Sequence, residues 1–233
     1  MMLRLVPLAL MVIAAPAVAA DRVFSVGSFE RVRIDGPFEV RIVTGQSPNA
    51  KASGDRQLVE RLAIAVNGNV LTVRLGSGGW GEMPRGPNNA PVIVTLSTPR
   101  LTKLAISAGA QVHVTRMVSQ RIDLSVIGSA TLALDQADAD DLRASLAGAG
   151  TMTIGGRANR ATLLSDGAGT IDASSLKVND LVVQTAGAGE TKAAARNTAR
   201  ITTTGLGAVT VTGNATCVVK AAAGGPVTCG RQR

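Results

Sequence analysis

A chain of 233 residues with a formal net charge of +8 is long enough for one domain with a sizeable core. Its cations and anions are interspersed, and it holds no tyrosine, one tryptophan and three phenylalanines; without a basic stripe or stacking aromatics, nucleic-acid binding has no footing. Packing falls to Val, Ala, Thr, Gly and Leu, which predicts a narrow interior of small and β-branched side chains.

The first stretch, MMLRLVPLALMVIAAPAVAA, places Arg4 before an apolar run from Leu5 to Ala15 and small residues after it. That is the layout of a secretory signal peptide over residues 1–20, with cleavage before Ala20 or Asp21. The run is short for a membrane span, no cysteine follows it as in a lipoprotein, and GGPVTCGRQR at the other end has no apolar tail. The expected product is exported, periplasmic or secreted, with no integral membrane segment and a charge of +7, which is +8 less Arg4.

Residues 21–233 are expected to form a single β-helix domain: an N-terminal coil, hairpin and loop over 21–101, then regular repeats over 102–233. In VRIDGPFEVRI, the residues Val32, Ile34, Phe38, Val40 and Ile42 alternate with polar ones, as a half-buried strand requires. LAIAVNGNVLTVRL reads as two strands around Asn67-Gly68, a hairpin turn. Gly76–Pro91 is a Gly/Pro-rich loop holding Trp80, and Val92–Thr98 is another strand. Loops on a rigid scaffold commonly carry function, so Trp80 is a candidate ligand contact; the competing reading makes it part of a cap over an open end.

From residue 102 onward the chain repeats itself. Small residues recur at Ala108, Gly128, Gly148, Gly167, Gly187, Gly205 and Ala223, in steps of 18 to 20, and a second small residue follows two places later each time. Even positions around them are apolar or small, as in Leu142, Ala144, Leu146, Met152 and Ile154, whereas the odd positions carry the charges. A period this short fits one turn of a β-solenoid rather than a propeller blade or helical repeat. The small pair is expected at the middle of the inward face, where the coil bends and opposite walls close in. Gln120, Asp140, Asn159, Asn179 and Asn197 form a second column, expected in left-handed turns and as a ladder of stacked amides.

FERVRIDGPFEVRI, VNGNVLTVRL and the repeats SAGAQVHV, LAGAGTMTI and TAGAGETKA together resemble the auto-transporter adhesin head domains, also called GIN domains. The resemblance covers essentially all of the chain after the leader. It implies a single-stranded, right-handed parallel β-helix exported in bacteria, and it brings no catalytic residues with it.

The glycine runs do not form a G-x-G-x-x-G phosphate loop and are read as structural. His113 stands on an outward position with no second histidine to share a metal. Asp135, Asp138, Asp140 and Asp141 form one acidic cluster, expected in a turn between coils. It is open to a calcium reading, or to the acidic groove of a β-helical polysaccharide-cleaving enzyme, but it matches no calcium-loop spacing, and a solvated turn is preferred. Outward Thr151, Thr153, Thr170, Thr202, Thr204 and Thr210 are read as strand formers rather than as an ice-binding face.

Cys217 and Cys229 occupy the first and last inward positions of the final coil. In an oxidising compartment an even number of cysteines usually pairs, so a disulfide closing that coil is predicted. No cofactor or metal is expected. The reading is a non-enzymatic exported solenoid whose surface binds a partner, protein or glycan, of the envelope or outside the cell. The alternatives are a β-helical glycan-active enzyme and a carbohydrate-binding module.

Overall fold

The computed structural model describes residues 20–76, 92–222 and 224–230. Alternation of apolar and polar residues makes strands throughout. In chain order they are β1 (Ala20–Phe24), β2 (Arg31–Asp35), β3 (Glu39–Thr44) and β4 (Asn49–Gly54); a short helix, α1 (Arg56–Arg61); then β5 (Leu62–Asn67), β6 (Val70–Leu75), β7 (Ile93–Thr98) and β8 (Lys103–Ser107). The repeats follow as β9 (Gln111–Gly128), β10 (Thr131–Gly148), β11 (Thr151–Gly167), β12 (Thr170–Gly187) and β13 (Thr191–Thr203). The last pieces are β14 (Val209–Thr212), β15 (Thr216–Ala221) and β16 (Val227–Cys229).

Each long strand bends and contributes an arm to each of two walls. The first wall runs β5–β6–β2–β8, continues through the later arms of β9 to β13, and ends on β15. The second runs β1–β4–β7–β3, continues through the earlier arms, and ends on β14 and β16. Successive coils pair in parallel, so this is the predicted β-solenoid.

The inward register holds in the strands. Ile122, Leu124, Val126, Leu142, Ala144, Leu146, Leu163, Val183 and Ile201 are buried, as are Met152, Ile154 and Ile171 on the other wall. Burying one such branched side chain is worth roughly 1.5–3 kcal/mol, and stacked coils give each a neighbour above and below.

In the coils up to β12 the first small residue of the pair is not inward, whereas Gly205 in the next coil is buried as expected. Gly128, Gly148, Gly167 and Gly187 are exposed or half-buried at the corner joining the walls, with φ from +87° to +119°. Their need for glycine comes from that left-handed backbone and from the coil beneath, not from the opposite wall. A β-carbon on Gly148 would sit 2.6 Å from the Gly128 carbonyl oxygen. The corner backbones are drawn that close by hydrogen bonds, such as Ala149 N–H to Gly128 O at 3.0 Å and Gly169 N–H to Gly148 O at 2.8 Å. The second small residue, Ala110, Ala130, Gly150, Gly169, Gly189 or Gly207, is buried as expected, while Gly225 in the last coil is half-buried.

The Asn/Asp column differs too. Among the described residues Ala108 is the one non-glycine with positive φ, so Asn159, Asn179 and Asn197 are not in left-handed turns. One rung of the amide ladder is present, Asn179 Nδ2 donating to Asn159 Oδ1 at 2.9 Å.

The N-terminal end carries elements the repeat does not announce. β1 pairs antiparallel with β4, and β5 with β6; the latter hairpin turns at Gly68 (φ +61°), as predicted. Asp55 caps α1 by accepting from the Gln57 and Leu58 amides, satisfying two donors left open at a helix start. Val59 of α1 is 1% exposed and joins the core, so the helix covers that end of the solenoid.

Candidate functional site

On the outer face of the first wall, just before the glycine corner, the register stacks Ser145, Leu164, Gln184 and Thr202 in one column. Ala147, Asp166 and Ala186 stack beside them. Paired strands lie about 4.8 Å apart, so the columns present a side chain at that step along the axis. The two alanines leave space, and the columns border a shallow groove of ≈ 380 Å³, with Thr204 also lining it. Beneath it Ser165 and Thr185 are buried, and Thr185 Oγ1 has no hydrogen-bond partner among the described residues.

The groove thus offers three hydroxyls, a carboxamide, a carboxylate and a leucine. Asp166 is the one acid among its lining residues, so the pair of carboxylates that glycoside hydrolysis requires is not assembled there. Thr202 and Thr204 stood out in the sequence as outward threonines, but Ser145, Gln184 and the groove did not. The signal was present: these are the residues three places and one place before successive corner glycines.

The acidic cluster lies inside the continuous strand β10 rather than in a turn, and its members face different partners. Asp135 meets His113 Nε2 at 2.9 Å. Asp138 takes two hydrogen bonds from Arg157, at 2.9 and 2.6 Å. Asp141 lies 3.3 Å from Arg160 and 4.0 Å from Arg121, and Asp140 is exposed. Arg157 holds the Asp138 carboxyl below its usual range, chiefly through the hydrogen bonds and then through its charge. Among the described residues no group of three or more His, Cys, Asp or Glu could hold a metal ion. These pairs join consecutive coils across the surface, where solvent screens them and each contributes little to stability.

Cys217 and Cys229 are joined by a disulfide, with Cα atoms 6.2 Å apart. It ties β15 of one wall to β16 of the other, as the register predicted. Trp80 and most of its loop, from residue 77, lie outside the described residues, as does the expected signal peptide apart from Ala20. Among the described residues no helix is long and apolar enough to cross a membrane.

A stack of parallel coils with a packed interior and a polar, groove-bearing outer wall defines a β-solenoid scaffold. The chain belongs to the family described as "Putative auto-transporter adhesin, head GIN domain", whose profile matches residues 28–215. Several solved structures share the fold, among them the three that follow. One, described as a putative adhesin of Bacteroides fragilis, is 18% identical with a TM-score of 0.79, covering 91% of this chain and 96% of that one. A putative lipid binding protein from Parabacteroides distasonis is 15% identical with a TM-score of 0.74, over 93% and 98%. A putative adhesin from Parabacteroides merdae is 17% identical with a TM-score of 0.72, over 94% and 98%. No curated protein sequence matches the chain.

Proposed function

We propose that this protein is a non-enzymatic, exported scaffold that binds an envelope or extracellular partner through the outer groove of its first wall. The observation that carries the reading is the pair of columns around Gln184. Hydroxyl, amide and carboxylate groups stand at regular steps beside a Leu164 contact, on a rigid sheet, without a second acid or base to complete a reacting site. Export is supported by the leader-like start, by the family and by the disulfide, a bond that persists in oxidising compartments. Either expected cleavage point leaves β1 whole or shorter by Ala20 alone, so processing is compatible with the fold. The domain is read as running from the cleavage point to residue 233.

The ligand that fits is polar and extended, with hydroxyl or amide groups to exchange hydrogen bonds along the axis; a glycan strand meets that description. The test is retention of the chain on immobilised envelope glycans, compared with Gln184→Ala and Asp166→Ala. Binding that falls at least several-fold in both variants, with unchanged melting, supports the groove. Binding unaffected by either substitution moves the site elsewhere, with the loop around Trp80 next to be tested. Release of cleaved glycan on incubation would overturn the non-enzymatic reading.

A further inference from the structure

The two ends of the solenoid are unlike. At the N-terminal end α1 lies over the core. At the C-terminal end, among the described residues, β15 pairs only with β13 and β16 only with β14. There the inward Val219 is 44% exposed and the outward Val218 49%. The corner position taken by Ser129, Ala149, Ala168 and Ala188 in earlier coils becomes Leu206, which is 71% exposed. Exposed apolar side chains thus gather at this rim.

Natural sheets protect their edges with short strands, proline or charge. β16 is protected: it has three residues and follows Pro226. β15 has six residues, no proline and one charge, Lys220. Among the described residues no strand pairs with its backbone edge on the side away from β13, and the Cys217–Cys229 bond anchors it.

We propose that β15 is a self-association edge, through which two copies of the chain join end to end by pairing β15 antiparallel across a two-fold axis. What selects a second copy is the strand's own sequence, TCVVKA. Side chains must keep their faces when strands pair. With Val218 on the axis, Val218 meets Val218, Cys217 meets Val219, and Thr216 meets Lys220. Apolar residues therefore meet inside, the exposed valines cover each other, and neither lysine faces its copy. Such an interface is closed, so assembly stops at the dimer.

Sedimentation velocity of the oxidised chain, produced through its own leader, tests this. A dimer fraction that rises with concentration is expected. Val218→Lys, at an outward exposed position, should sediment as a monomer with unchanged circular dichroism and melting. Val23→Lys, on the exposed β1 edge at the other end, should still dimerise. Should Val218→Lys misfold, hydrogen exchange of the unaltered chain serves instead: β15 amides should gain protection as concentration rises. A chain that stays monomeric at every concentration overturns the proposal and leaves the edge to a strand of another protein. A dimer that survives Val218→Lys, or one dissolved by Val23→Lys, overturns it equally, as does β15 protection independent of concentration.

Discussion

The corner glycines allow a quantitative test of what holds the coils together, because two of them differ chiefly in what lies beneath. Gly128 and Gly148 both have left-handed backbones, with φ of +87° and +119°. A β-carbon on Gly128 would meet nothing within 4 Å, whereas one on Gly148 would lie 2.6 Å from the Gly128 oxygen and 3.0 Å from its Cα. Gly128→Ala should therefore lose only the backbone cost, about 1–2 kcal/mol for an L-residue in that region. Gly148→Ala adds crowding against a backbone that cannot step aside without breaking the Ala149–Gly128 hydrogen bond; overpacking of this kind costs about 1–3 kcal/mol more. Urea unfolding followed by far-ultraviolet circular dichroism measures both, provided the slopes agree. Hydrogen exchange of the two flanking coils checks that the loss is local, since stacked repeats can open piecewise. Equal losses in the two variants would show that inter-coil contact contributes nothing, and the corner would then be explained by φ alone.

Replacing both Cys217 and Cys229 by Ala should lower stability by about 3 kcal/mol on the chain-entropy account of a short loop, with fraying confined to β15 and β16; global melting unchanged to within error would refute it. The response to acid follows from two carboxylates held below their usual range, Asp138 by Arg157 and Asp172 by the Ser174 hydroxyl and amide. Their contribution is complete above the unfolded-state value near 4 and is lost as pH falls through the lower folded values. Denaturation midpoints should therefore be level above about pH 5 and drop below 4, only slightly because both groups are largely exposed. Asp138→Asn should flatten that drop, and a midpoint rising on acidification would contradict the sign.

The coil register was legible because one period repeats. A single half-buried strand is ambiguous, but the alternation around Ile122, Leu142, Leu181 and Ile201 recurs in phase, and only stacking explains that. The disulfide followed from the same register, since the positions of Cys217 and Cys229 match those of buried Ile122 and Leu134. The N-terminal cover was not legible. α1 spans six residues, Arg56–Arg61, too few to show a helical stripe, and the segment NAKASG of β4 holds only alanines to mark its buried face. Both are specified by the open end of the core they pack on, a tertiary fact that no local window contains.

The misplaced corner has a more instructive cause. A column of small residues is equally compatible with a crowded interior and with a left-handed bend, because glycine answers both demands. One residue discriminates. Ala108 holds the first corner with φ +59° and is exposed, so the site tolerates a β-carbon when no corner lies beneath it. Gly109 and Gly128 have ordinary space around them, and the severe backbone clashes begin at Gly148. The demand for glycine therefore grows from Gly128 to Gly148, Gly167 and Gly187, whose β-carbons would lie 2.6, 2.5 and 2.2 Å from the carbonyl oxygen beneath, which an inward position filled from the opposite wall would not do. It follows that the glycine column records the closeness of neighbouring coils along the axis. It follows also that the groove before it, opened by Ala147 and Ala186 at the same corner, belongs to the tightly stacked coils and is held as rigidly as they are.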